Sequence, residues 1–101
     1  VSSADRPYDI QLAPAAARAF LKLEAVDRAR IRRTLEGLAG SATRGDRGGK
    51  AIKTIRGTSD RFHRLRIGEY RIMYDLVVED RVVLVLGIVH RSDLERWLRN
   101  R

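Results

Sequence analysis

The chain contains no cysteine. That excludes a disulfide framework and any thiolate metal site. Its two histidines, His63 and His90, lack the Asp or Cys spacing of a ligand set, so no metal site is expected. No Gly-rich phosphate loop and no nucleophile motif occurs, and no cofactor is expected. The apolar runs fall well short of the roughly 20 residues that a membrane helix needs, so no membrane partner is expected. No signal-peptide pattern opens the chain, and a cytoplasmic protein is the expectation. Internal repeats and domain boundaries are also lacking.

What is present is arginine. Eighteen arginines stand against three lysines, and the formal net charge is +8. The excess is uneven: residues 41–75 carry nine basic and four acidic groups, whereas residues 76–101 carry five and four. A uniform compositional bias does not predict that concentration. Nucleic acid or an acidic protein is the partner class such a surface suits. With 101 residues and 44% hydrophobic content, the chain reads as one domain over residues 1–101, with residues 1–6 as a disordered tail.

Tyr8 to Leu12 alternates weakly and reads as a short strand. Pro14 suits the first turn of a helix over Ala15 to Leu23, with Ala17, Phe20 and Leu21 on one face. A second helix is expected from Asp27 as N-cap to Gly40 as terminator, with a Val26–Ile31 staple and an Ile31, Leu35, Leu38 stripe. Gly40 to Ala51 lacks periodicity and reads as a loop. Ile52 to Arg56, Phe62 to Ile67, Tyr70 to Val78 and Val82 to Val89 read as strands, the last apolar on both faces as a central strand is. Ser92 to Glu95 fits a capping box before a short helix that places Leu94, Trp97 and Leu98 together. The class is α+β: an N-terminal strand, an αα-hairpin packed on a three- to four-stranded antiparallel sheet, and a short C-terminal helix.

Gly68-Glu69 reads as a two-residue type II′ hairpin turn. That register pairs Ile67 with Tyr70, Arg66 with Arg71, Leu65 with Ile72 and Arg64 with Met73. Leu65, Ile67, Tyr70 and Ile72 then share the core face, and Arg64, Arg66, Arg71 and Met73 the other. Arginines on an outer sheet face often do no more than solvate it. Facing Arg66 with Arg71, however, costs roughly 0.2–1 kcal/mol, and an anionic ligand removes that cost. A three-residue loop at Glu79-Asp80-Arg81 puts Arg91 on the arginine face; a two-residue loop puts His90 there. The sequence leaves both open.

Lys53-Thr54-Ile55-Arg56-Gly57, the hairpin Arg64 to Tyr74 and the closing Val89-His90-Arg91 resemble the RelE/ParE superfamily of toxins from type II toxin–antitoxin pairs. The resemblance implies a RelE-like fold and a RelE-like, ribosome-dependent, metal-independent mRNA endoribonuclease that blocks translation. It implies Arg64, Arg71, Arg91 and His90 as catalytic, with Lys53, Arg56, Arg66 and His63 binding RNA. It further implies a RelB-like cognate antitoxin, the ribosome and mRNA as partners, with operator DNA reached only through the antitoxin complex. Trp97 stands near a position where some members carry a catalytic tyrosine. Trp can stack on a base but cannot move a proton, which leaves His90, His63 and Glu95 as acid–base candidates. The alternative within the superfamily is a ParE-like inhibitor of DNA gyrase without nuclease chemistry.

Overall fold

The computed structural model describes residues 7–43, 52–55 and 62–100, with backbone alone for residues 43 and 52–55. Strand β1 (Asp9–Leu12) leads into helices α1 (Pro14–Leu21) and α2 (Ala25–Thr43). Strands β2 (Ile52–Ile55), β3 (Phe62–Ile67), β4 (Tyr70–Val77) and β5 (Val82–His90) follow. A 3-10 turn at Arg91–Asp93 then opens α3 (Leu94–Arg99). The expected tail at residues 1–6, most of the expected loop after Gly40, and Arg56 lie outside the described residues.

The five strands form one mixed sheet in the order β1-β5-β4-β3-β2. The expected antiparallel set is there, and β1 joins it as an edge strand parallel to β5, from Asp9 opposite Val82 to Leu12 opposite Val85. β5 is therefore interior, flanked by β1 and β4, as its apolar content predicts. Leu65, Ile67, Ile72, Tyr74, Val83, Val85 and Ile88 line one face of the sheet. Ala16 of α1 and Ile31, Leu35, Leu38 and Ala39 of α2 cover it. Positions 31, 35, 38 and 39 recur at helical spacing, so one stripe of α2 is apolar and the rest is free to carry charge.

The helix ends differ from the expectation. α2 starts at Ala25, two residues before Asp27, and runs through Gly40 to Thr43. Packing overrides the glycine here: Ala39 is buried, and its carbonyl accepts from the Tyr8 amide at 3.2 Å. Asp27 sits in the first turn, where its charge suits the helix dipole. Val26 is 61% exposed, so no staple forms. Arg28 instead closes the helical pair by donating to the Leu23 carbonyl at 2.5 Å. In α1 the inward residue is Ala16, and Leu21 faces solvent.

On the opposite face of the sheet, Phe62 and Met73 are wholly buried and Gly87 lies opposite Met73. α3 covers this region through Trp97, whose ring meets Phe62 edge-on at 5.6 Å. A Cβ on Gly87 would fall 2.5–2.6 Å from three indole atoms of Trp97, so glycine is required for the helix to dock. α3 is too short to hold itself together without such an anchor. Gly87→Ala is therefore expected to cost about 1–3 kcal/mol through overpacking. It should also red-shift the emission of Trp97, the only tryptophan. Fluorescence and a thermal melt on the same sample check this.

Candidate functional site

The β3–β4 turn sets the site. Gly68 has φ +57 and Glu69 does not share a positive φ, the pattern of a type II′ turn. The register is the expected one: Ile67 faces Tyr70, Arg66 faces Arg71, Leu65 faces Ile72 and Arg64 faces Met73. Arg64, Arg66 and Arg71 thus share the face opposite the helical layer. The position of Lys53 in β2 is opposite Arg64.

The choice between Arg91 and His90 is settled by two features together. The β4–β5 loop has four residues, Val78 to Arg81, between the paired Val77 and Val82. Arg81 closes it with φ 55. Alone, this loop would give the parity of a two-residue turn. A bulge then intervenes: Tyr74 pairs with Val85 and Met73 with Gly87, leaving Leu86 unpaired. The extra residue flips the remainder of β5. Val89 consequently lies opposite Arg71, and His90 opposite Tyr70 on the other face. Arg91 follows at the end of the arginine face, where its amide donates to the Glu69 carbonyl at 2.7 Å.

Arg64, Arg66 and Arg91 are close enough to act on Arg71, and Glu69 at the hairpin tip is the carboxylate that acts on it among the described residues. Glu69 Oε2 lies 2.5 Å from Arg91 Nε, and both side chains are more than half exposed. Arg71 turns back along the hairpin and donates to the carbonyls of Gly68 at 3.2 Å and Tyr70 at 3.0 Å. Its pKa is held below the ordinary arginine value, first by partial desolvation and then by Arg66, Arg64 and Arg91, with Glu69 acting the other way. The site is an electropositive, exposed surface suited to oxyanions.

The histidines are placed elsewhere. His63 stacks on Tyr74, ring centroids 5.1 Å apart, on the helical side of the sheet. Burial pushes the Tyr74 phenol up to about 12, so it stays neutral there. His90 meets Tyr70 edge-on, and its Nδ1 accepts from the Ser92 amide at 3.2 Å. It thereby caps the 3-10 turn, a task the expected Ser92–Glu95 box does not perform. His90 Nε2 reaches within 4.0 Å of Glu69, so it touches the rim of the cluster. Trp97 is a packing residue, and Glu95 is exposed on α3. Among the described residues, no group of three or more His, Asp or Glu is placed to hold a metal ion, and no helix is long and apolar enough to cross a membrane. Glu69 was missed by sequence reasoning, although its place in the turn between Arg66 and Arg71 was the signal.

Because Arg66 and Arg71 repel, Arg71→Ala should leave stability unchanged or raise it by up to about 0.2–1 kcal/mol at low salt. The gain should shrink at 1 M salt, where screening shortens to about 3 Å. Paired thermal melts check both, and clear unfolding would make Arg71 structural.

The model of the family described as "ParE toxin of type II toxin-antitoxin system, parDE" matches residues 10–95. Among solved structures, the chain is similar to the RelBE2 toxin–antitoxin complex of Mycobacterium tuberculosis, with TM-score 0.68, 24% identity, and 85% of this chain and 100% of that one covered. It is also similar to the archaeal RelE–RelB complex of Pyrococcus horikoshii OT3, with TM-score 0.67, 20% identity, and 86% and 98% covered. The isolated RelE toxin of E. coli follows with TM-score 0.63, 20% identity, and 90% and 99% covered. These likenesses show the fold, that of the RelE/ParE superfamily. No curated protein matches the chain. The family match overturns the expectation of a RelE-like, ribosome-dependent mRNA endoribonuclease, because the matching family is ParE. The expected block of translation falls with it. With 86 consecutive residues inside the match, the chain belongs to the ParE toxin family of type II toxin–antitoxin systems.

Proposed function

We propose that the chain is a single-domain toxin that inhibits DNA gyrase by binding it, without nuclease chemistry, and that a cognate antitoxin neutralises it. The observation that carries this reading is the family match over residues 10–95. The placement of the side chains supports it. Arg64, Arg66 and Arg71 share one face, while His63 and His90 lie on the other face or at its rim. The arginine face then serves as a binding surface, with Arg64, Arg66, Arg71 and Arg91 as its contacts. The antitoxin is inferred from the similar RelE–RelB complexes and from the net charge of +8, which suits an acidic partner.

Plasmid supercoiling by purified gyrase, with the chain added, tests the proposal. The expected result is loss of supercoiling as the chain is titrated in. The double variant Arg66→Ala, Arg71→Ala should need about tenfold more protein for the same effect, equivalent to about 1.4 kcal/mol of binding. Supercoiling that is unaffected at large molar excess overturns the reading.

A further inference from the structure

The arginine face carries its own counter-ion. Glu69 is held to Arg91 twice, by the carboxylate on Nε at 2.5 Å and by its carbonyl on the backbone amide at 2.7 Å. Among the described residues, Arg71 donates its hydrogen bonds to turn carbonyls. Among the described residues, neither Arg64 nor Arg66 has an ion-pair partner. Glu69 pairs with Arg91 and, among the described residues, leaves Arg64, Arg66 and Arg71 without a carboxylate partner. We propose that Glu69 fills, in the free protein, one position of a polyanion site made by Arg64, Arg66, Arg71 and Arg91. A backbone phosphate of duplex DNA displaces it from Arg91. This rests on the gyrase reading, in which the chain acts beside DNA.

The energetics allow the exchange. An ion pair as exposed as Arg91–Glu69 (63% and 60%) contributes little to stability, so its loss is a small cost. A phosphate offers oxygens that match the arginine fork and, unlike Glu69, brings neighbouring charges for Arg64, Arg66 and Arg71. Geometry favours duplex DNA over an acidic peptide. A Cβ at Gly68 would fall 2.7 Å from Arg30 Nη1, so α2 brings a further guanidinium against the turn from the helical side. The hairpin tip is thus flanked by cations on both of its faces. A peptide lying along one face meets Arg66 and Arg71 but not Arg30. A duplex carries phosphates on two strands, so one backbone can meet the arginine face while the other reaches Arg30.

Fluorescence anisotropy with a short labelled duplex of mixed sequence, across a salt series and without gyrase, tests the proposal. Glu69→Gln should bind about two- to fivefold tighter than wild type at low salt. Its slope of log affinity against log salt should match wild type, because the Arg91 phosphate contact forms in both, whereas Arg91→Ala should make the slope shallower by about 0.9. In the Arg91→Ala background, Glu69→Gln should have no effect, as expected when two residues act through one pair. Should the amide variant misfold by circular dichroism, Glu69→Ser, suited to the second position of this turn, is read in its place. Unchanged affinity in Glu69→Gln, or an unchanged slope in Arg91→Ala, overturns the proposal. So does binding of a glutamate-rich peptide in the absence of duplex binding, which would reassign the site to an acidic protein segment. The gyrase reading stands or falls separately on supercoiling, whichever way the anisotropy falls.

Discussion

The positive φ of Gly68 is the constraint on which the arrangement of this sheet depends. It closes the hairpin with two residues, and every pair between β3 and β4 follows from that closure. The same register that buries Leu65, Ile67 and Ile72 forces Arg66 against Arg71. Fully burying one such aliphatic side chain contributes about 1.5–3 kcal/mol, whereas the opposed arginines cost a fraction of one to about one. Packing wins, and the protein folds with an unfavourable charge pair on its surface. The repulsion is then available to any anion that binds there.

The two faces of the sheet have separate tasks. One is sealed by α1 and α2 around Ile31, Leu35 and the strand residues that face them. The other is divided: Trp97 covers Phe62 and Gly87, and the hairpin end is left to arginine. The bulge at Leu86 makes this division possible, because it brings Gly87 and Val89 onto the arginine side and turns His90 away from it. His90 then caps the turn that launches α3, so the histidine that resembled a catalytic group holds the helix in position.

Much of this was legible in the residues. The Gly68-Glu69 turn, the strand limits of β3 and the core stripe of α2 follow from local chemistry that the tertiary structure does not oppose. The misses share a cause. Gly40 and Asp27 are strong local signals, but burial of Ala39 and the Arg28 contact with Leu23 carry α2 past both. Parity along β5 was undecidable because a bulge, unlike a turn, has no fixed residue signature. The parallel pairing of β1 with β5 is a contact between the two ends of the chain, which no local pattern encodes. Glu69 was read as a turn residue alone, since its ion pair forms only when β5 delivers Arg91 beside it. The nuclease expectation came from motifs that RelE and ParE share, and shared motifs do not discriminate between them.

In this picture the arginine face is what meets the target. Hydrogen–deuterium exchange of the chain, alone and bound to gyrase with DNA, tests it most directly. Slowed exchange is expected over residues 64–71 and at Arg91, with the outer surface of α2 beyond Arg30 unchanged. Protection confined to α1 and α2, with the hairpin exchanging as in the free protein, would contradict it.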